Sequence, residues 1–207
     1  MSAPVSAREE GPSADRYTWA SVDPEALEVT CARIARHLAR SATKIIGLLP
    51  ATRGLGDGTG GTAIGLAPLL ANLAGVLARF LDQDVAMIDH WRTWGKGGGG
   101  GAEGVSSRLR EVRPRVIEIT PLPCDDAVAA TAALQNTLRV TRREFGAVLV
   151  DLGGYAAAGT APSTLTACDG VVLVIALRRA RIAGVSALSL HIPSAKRLGA
   201  ILVGSAS

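Results

Sequence analysis

Two aspartates, Asp89 and Asp151, each directly follow a short apolar stretch, and a glycine-rich segment, residues 51–61, follows a third. Carboxylates at the ends of parallel strands can hold Mg²⁺ and orient a water molecule, and the N–H groups of a glycine-rich loop can cradle a phosphate. Each feature also has a structural interpretation, in which the aspartates cap helices or face solvent and the loop only turns the chain. The sequence leaves both interpretations open.

The surrounding pattern predicts a sheet that would bring these residues to one edge. Six apolar runs predict strands: 44–50, 85–89, 116–120, 147–151, 171–176 and 200–203. Helices are predicted over 62–80, 127–143, 160–167 and 182–197, and a further one begins at Asp23-Pro24, where Leu27, Cys31, Ile34 and Leu38 share a face. This alternation predicts an α/β fold, a parallel sheet between two helical layers.

Composition limits the class of protein. The chain has 207 residues, of which 48% are apolar, so we expect one domain over residues 21–207 after a polar, disordered tail over residues 1–20. Three dispersed cysteines argue against a disulfide framework and a zinc site, and no apolar run is long enough for a membrane-spanning helix, so we expect a cytoplasmic protein. The net charge of +4 comes from dispersed arginines without interleaved aromatics, so we expect no nucleic-acid partner.

Two groups of side chains could contact a protein partner. The first helix carries Arg33, Arg36 and Arg40, and Trp91, Arg92 and Trp94 follow the second predicted strand. Tryptophan and arginine are favoured anchors at interfaces. A solvated basic face and tryptophans packed under a loop are the alternatives.

Three segments carry a resemblance to a known family. They are KIIGLLPATRGLGDGTGGTAIGLA, DVAMIDHWRTWG, and FGAVLVDLGGYAAAG followed by ACDGVVLVIALRRARIAGV. They resemble the P-loop, the second acidic strand end and the Walker B strand of ParA/MinD-type ATPases. Within that superfamily the chain is most similar to the cytoplasmic domain of the bacterial tyrosine kinases (BY-kinases) of capsule and exopolysaccharide synthesis, over roughly residues 23–203. The resemblance implies a P-loop NTPase-like three-layer fold.

The resemblance assigns roles to individual positions and shows where this chain departs from the family. Residues 51–56 fall on the family's A-R-P-G-E-G and retain Gly54 and Gly56, but Asp57 stands at the lysine position and Gly58 at the position of the magnesium-binding hydroxyl, before Thr59. Asp89 matches the acidic residue of the second motif and Asp151 the Walker B aspartate. Gly153-Gly154 replace two prolines. The motif is therefore a degenerate Walker A.

These departures predict a catalytically degenerate protein. The family's tyrosine cluster is also absent, since the chain holds only Tyr17 and Tyr155. We expect no cofactor and a scaffolding or regulatory role through a membrane chain-length regulator (polysaccharide co-polymerase), with peripheral attachment to the inner membrane; self-association is left open. The alternatives are an atypical active ATPase or kinase, in which Arg53 or Lys96 replaces the lysine and Asp89 and Asp151 hold Mg²⁺ with ATP, and a ParA/MinD-like positioning ATPase.

Overall fold

The computed structural model of the chain describes residues 24–51, 66–88, 108–121, 126–157, 160–177, 180 and 182–204. Its strands are β1 (Ile45–Ala51), β2 (Val85–Ile88), β3 (Arg108–Arg113), β4 (Val116–Thr120), β5 (Ala147–Asp151), β6 (Gly170–Ala176) and β7 (Arg197–Val203). Its helices are α1 (Pro24–Arg40), α2 (Ala67–Leu81), α3 (Ala127–Glu144), α4 (Gly153–Ala157), α5 (Ala161–Ala167) and α6 (Ile182–His191). The predicted tail, residues 1–20, lies outside the described residues.

The strands form one sheet in the order β3-β4-β2-β5-β1-β6-β7, in which every neighbouring pair except β3 and β4 is parallel. Side chains alternate between its two faces. Along β1, Ile46 and Leu48 join the apolar cluster under α1 and α2, whereas Ile45 and Leu49 join the cluster under α3, α5 and α6. Both faces are therefore covered, and the predicted three-layer α/β architecture is confirmed.

The sheet is parallel, as predicted, except at one edge. The edge strand β3, which the sequence pattern did not predict, pairs antiparallel with β4. Its apolar residues Leu109 and Val112 do not alternate, because the pairing shifts between Glu111 and Arg113. The strand is held by Arg110, whose Nη2 lies 2.5 Å from Oε2 of the buried Glu118.

The predicted helix over residues 182–197 is also too long. Helix α6 ends at His191, two residues before Pro193, because proline and the residue before it disfavour helical backbone. A short 3₁₀ turn, Ser194–Lys196, then leads into β7, which begins at Arg197 rather than Ala200. Gly199 has a φ of +133°, a conformation that suits glycine, at the point where the pairing with β6 shifts register.

The amino ends of the central strands are held together by polar contacts. The Asp169 carboxylate, just before β6, accepts hydrogen bonds from the backbone N–H groups of Lys44 and Ile45 at 3.2 and 3.0 Å and from the Arg142 guanidinium. Lys44 Nζ donates to the carbonyl of Arg142 at the end of α3, at 3.1 Å. These contacts tie β1, β6 and α3 together at the amino edge of the sheet.

A lysine supports the carboxyl end of α5 in a similar way. Lys196 Nζ donates to the carbonyl oxygens of Leu165, Thr166 and Cys168 at 3.2, 2.8 and 2.8 Å. The last carbonyls of a helix have no partner within it, and a cation there is favourable. Lys196 therefore links the chain before β7 to the chain before β6.

Candidate functional site

The carboxyl ends of β1 and β5, next to the amino end of α2, form the candidate site. The two described residues that flank the glycine-rich segment in sequence are buried: Ala51, which ends β1, and Leu66, which precedes α2. Leu66 accepts the N–H of Leu70 at 2.8 Å and so begins the helix. Strand, glycine-rich segment and helix thus follow one another in the order that a phosphate-binding loop requires.

Asp151 is the described aspartate of the site. It is the last residue of β5, pairs with Leu48 of β1 and is only 3% exposed. Its Oδ1 accepts the backbone N–H of Gly153 at 2.7 Å. The bond spans two residues, which is the contact of an Asx turn, and it satisfies the N–H of Gly153, the first residue of α4. Asp151 therefore has a structural role at this edge.

Pro50 borders the same aspartate, inside a central strand where proline is rare. The carbonyls of Lys44 and Leu48 accept backbone N–H groups of Val148 and Leu152, so the backbone N–H and C=O groups of the even-numbered residues of β1 point toward β5. Leu48 already pairs with Asp151, the last residue of β5, and Pro50 lies beyond the end of that ladder, where a missing N–H costs no strand pairing. The sequence signal for this feature is a proline at the end of a buried apolar run.

Gly153 fits between Asp151 and Pro50 because it has no side chain. A Cβ at position 153 would lie 3.0 Å from Asp151 Oδ1 and 3.0 Å from Pro50 Cγ. A proline there would also lack the N–H that Asp151 accepts. The structure thus gives a local reason for glycine where the family pattern has proline.

Most of the sequence-predicted site residues lie outside the described part of the chain. They are Gly54, Gly56, Asp57, Gly58, Thr59, Asp89, Trp91, Arg92 and Trp94. Ile88, the last described residue before Asp89, pairs with Val150, the residue before Asp151. The roles of these nine residues stay predictions.

The three arginines of α1 are exposed, and the structure places them on the helical layer formed with α2. The guanidinium carbon of Arg36 lies 5.8 Å from the centre of the Phe80 ring, within the range of a cation–π contact. Glu28 of α1 pairs with Arg79 of α2 at 2.8 Å. Arg33 and Arg40 contribute to a basic surface on α1 together with Arg36.

Both described lysines lie at the edge of the sheet opposite the glycine-rich segment. Lys44 precedes β1, whereas Ala51 ends it, and seven extended residues span roughly 23 Å. Lys196 precedes Arg197, which pairs with Val171, the second residue of β6. The ammonium groups of both are bonded to backbone carbonyls at that edge.

Thiols and metal ligands add no chemistry in the described ranges. Burial raises the pKa of Cys31 to about 11 and that of Cys168 to about 12, against a usual value of 9.0, so both stay neutral and poorly nucleophilic at ordinary pH. Among the described residues no three His, Cys, Asp or Glu side chains form a group that could hold a metal ion. No helix in those ranges combines the length and apolar content that crossing a bilayer requires.

Comparison with solved structures identifies the fold. The BceF tyrosine kinase domain aligns with a TM-score of 0.62 and 17% identity over 91% of this chain and 82% of that one. The VpsO kinase domain aligns with a TM-score of 0.59 and 15% identity, over 86% and 96%. The kinase domain of the Escherichia coli tyrosine kinase ETK aligns with a TM-score of 0.60 and 17% identity, over 88% and 77%. No protein-family model and no curated protein sequence matches the chain.

Proposed function

We propose that this chain, which has the P-loop NTPase-like fold of bacterial tyrosine kinase domains, is a catalytically degenerate relative of them. Its role is to scaffold or regulate exopolysaccharide or capsule synthesis through a membrane chain-length regulator. The observation that carries the proposal is the segment between β1 and α2, which has no lysine, while both described lysines are bonded at the opposite edge of the sheet.

The carboxylate of Asp57 disfavours nucleotide binding. Phosphate recognition by a P-loop needs backbone N–H groups, a lysine and a hydroxyl that binds Mg²⁺. Asp57 and Gly58 stand at the positions of the last two. A carboxylate about 4 Å from a phosphate costs on the order of 4 kcal/mol at an effective dielectric constant near 20.

The described residues do not supply a substitute. Lys44 and Lys196 are about one strand length from Ala51 and donate to carbonyls, and Asp151 accepts a hydrogen bond from Gly153. Neither described lysine is therefore placed to hold phosphates in the manner of the family, and no catalytic step is assigned. The proposed protein works by binding, and the basic surface of α1 is the described face to which we assign the partner contact.

The nucleotide half of the proposal is tested by restoring the family pattern. We expect calorimetric titration with ATP and ADP in Mg²⁺ to give no binding tighter than millimolar for the native chain. The double variant Asp57→Lys/Gly58→Thr should bind ATP measurably, and Asp57→Asn/Gly58→Ala, which removes the charge without adding the cation, is its control. Micromolar binding by the native chain that disappears in Asp89→Ala would instead support an active ATPase or kinase.

The partner half is tested with the cytoplasmic segments of a chain-length regulator. We expect the native chain to bind them, and Arg33→Glu/Arg40→Glu to bind at least tenfold more weakly. Lys44→Glu, a charge reversal at the other edge of the sheet, is the matched control. Equal binding by the native chain and the arginine variant would remove α1 from the interface.

A further inference from the structure

Among the described residues β3 and β7 are the two edges of the sheet, and they differ in how they are protected against pairing with another strand. Of the six residues of β3, Arg108, Arg110, Glu111 and Arg113 are charged. In β7 the one charged residue is Arg197, at its start, and Leu198–Val203 carries neither charge nor proline. Charged side chains on an edge strand prevent strand addition, and an edge that lacks them is open to it.

The backbone groups available on β7 follow from its pairing with β6. The carbonyl of Val203 accepts the N–H of Leu177 at 2.7 Å, so residue 203 faces β6, and so do residues 199 and 201 by alternation. The N–H and C=O groups of Ala200 and Leu202 therefore face away from the sheet. The pairing with β6 is regular from Gly199 to Val203, and Ile201 is the midpoint of that segment.

The exposed side chains of the regularly paired segment, residues 199–203, are apolar. Ala200 is exposed and Leu202 is 62% exposed, whereas Ile201 and Val203 are buried under α1 and α2. Leu202 lies beside Ile175 of β6 on the face that carries α6. Ile182, the first residue of α6, is 86% exposed.

We propose that β7 pairs with β7 of a second copy of this chain, antiparallel about a two-fold axis that passes between the two Ile201 residues. In that register Ala200 of each copy lies opposite Leu202 of the other, and these are the residues whose N–H and C=O groups face outward. Four backbone hydrogen bonds form between the copies, and each Leu202 packs over the small Ala200 opposite. The two sheets become one of fourteen strands.

Charge and symmetry favour β7 of a second copy over two other partners: β3 of another copy, and a strongly charged protein. The antiparallel register keeps the two Arg197 side chains at opposite ends of the paired segment, so they do not repel. Pairing of β7 with β3 of another copy would place apolar Leu202 beside arginines and would leave edges free to build an open chain of copies. A strongly acidic or basic partner finds no opposite charge between Leu198 and Val203.

The oligomeric state of two matched variants tests the interface. We expect the native chain to sediment as a dimer at about 0.1 mM and Leu202→Lys to sediment as a monomer with an unchanged circular dichroism spectrum. Leu109→Lys is the control, because Leu109 is 67% exposed on the opposite edge of the sheet; it should stay dimeric. A native monomer at that concentration, or a Leu202→Lys dimer, overturns the proposal.

Cross-linking tests the register. In a Cys124→Ser background, an equimolar mixture of Ala200→Cys and Leu202→Cys should form a disulfide-linked dimer under mild oxidation, since opposed residues of a hydrogen-bonded pair lie about 5.5 Å apart. Each variant alone should cross-link much less. Equal cross-linking of the single variants would overturn the symmetric pairing. So would hydrogen exchange showing that, in a monomer, residues 1–23 protect the backbone amides of β7.

Discussion

Replacing Lys196 by methionine should destabilise the fold without touching the candidate site. The substitution keeps the length of the stem and removes the ammonium group that donates to three carbonyls at 2.8–3.2 Å. A hydrogen bond from a charged donor contributes about 1.5–3 kcal/mol when buried, but water replaces most of it where the carbonyls are partly exposed. About 1 kcal/mol from the bonds and up to about 1 kcal/mol from the charge at the helix end give a loss of about 1–2 kcal/mol.

Denaturant titration of Lys196→Met beside Lys44→Met checks this value. Lys44 donates one bond from an exposed position, so its loss should stay below about 0.5 kcal/mol. For a chain of this size a loss of 2 kcal/mol corresponds to a fall in Tm of roughly 4–8 °C. If the free energies of unfolding of the two variants lie within about 0.5 kcal/mol of each other, Lys196 does not stabilise the carboxyl end of α5.

Three further predictions concern other contacts. Gly153→Pro, which matches the family pattern, should lower the free energy of unfolding in urea by about 3 kcal/mol or more, because it removes the N–H bonded to Asp151 and its ring contacts Pro50. Asp151→Asn keeps an acceptor for that N–H and should lower it by less than half as much. Arg110→Met should cost about 1–2 kcal/mol by the same measurement because it leaves the buried Glu118 carboxylate without its guanidinium, and Glu118→Gln should cost less. Because the thiol pKa values of Cys31 and Cys168 are raised in the folded protein, their contribution to stability is fully present below pH 9 and is lost as pH rises from about 9 toward 11, where the thiols of the unfolded chain ionise first. The free energy of unfolding should therefore fall across that range, and Cys168→Ala should make the fall smaller.

The central part of the fold could be predicted because its signals are local. Strands β1, β5 and β6 are continuous apolar runs that end in a turn or a charged residue, as strands buried on both faces must be. Strand β3 could not be predicted in this way. It is exposed, charged and interrupted by a register shift, and only its pairing with β4 makes it a strand.

In the candidate site, too, local features could be predicted from the sequence and long-range contacts could not. The position of Asp151 at a strand end follows from the apolar run before it. Its hydrogen bond to Gly153 and the close approach of Pro50 depend on backbone geometry, which residue type does not specify. The triple bond of Lys196 joins residues that are 28 to 31 positions apart in sequence, so no periodicity could indicate it.

The contacts around Asp169 have a consequence for how this chain can change over evolutionary time. They hold β1, β6 and α3 at the amino edge of the sheet, where Lys44, Arg142 and Asp169 are charged and specific. Mutations in the segment that follows Ala51, at the other edge, leave this anchorage intact. Under the function proposed above, replacement of a phosphate-binding lysine in that segment would leave these contacts of the described residues in place.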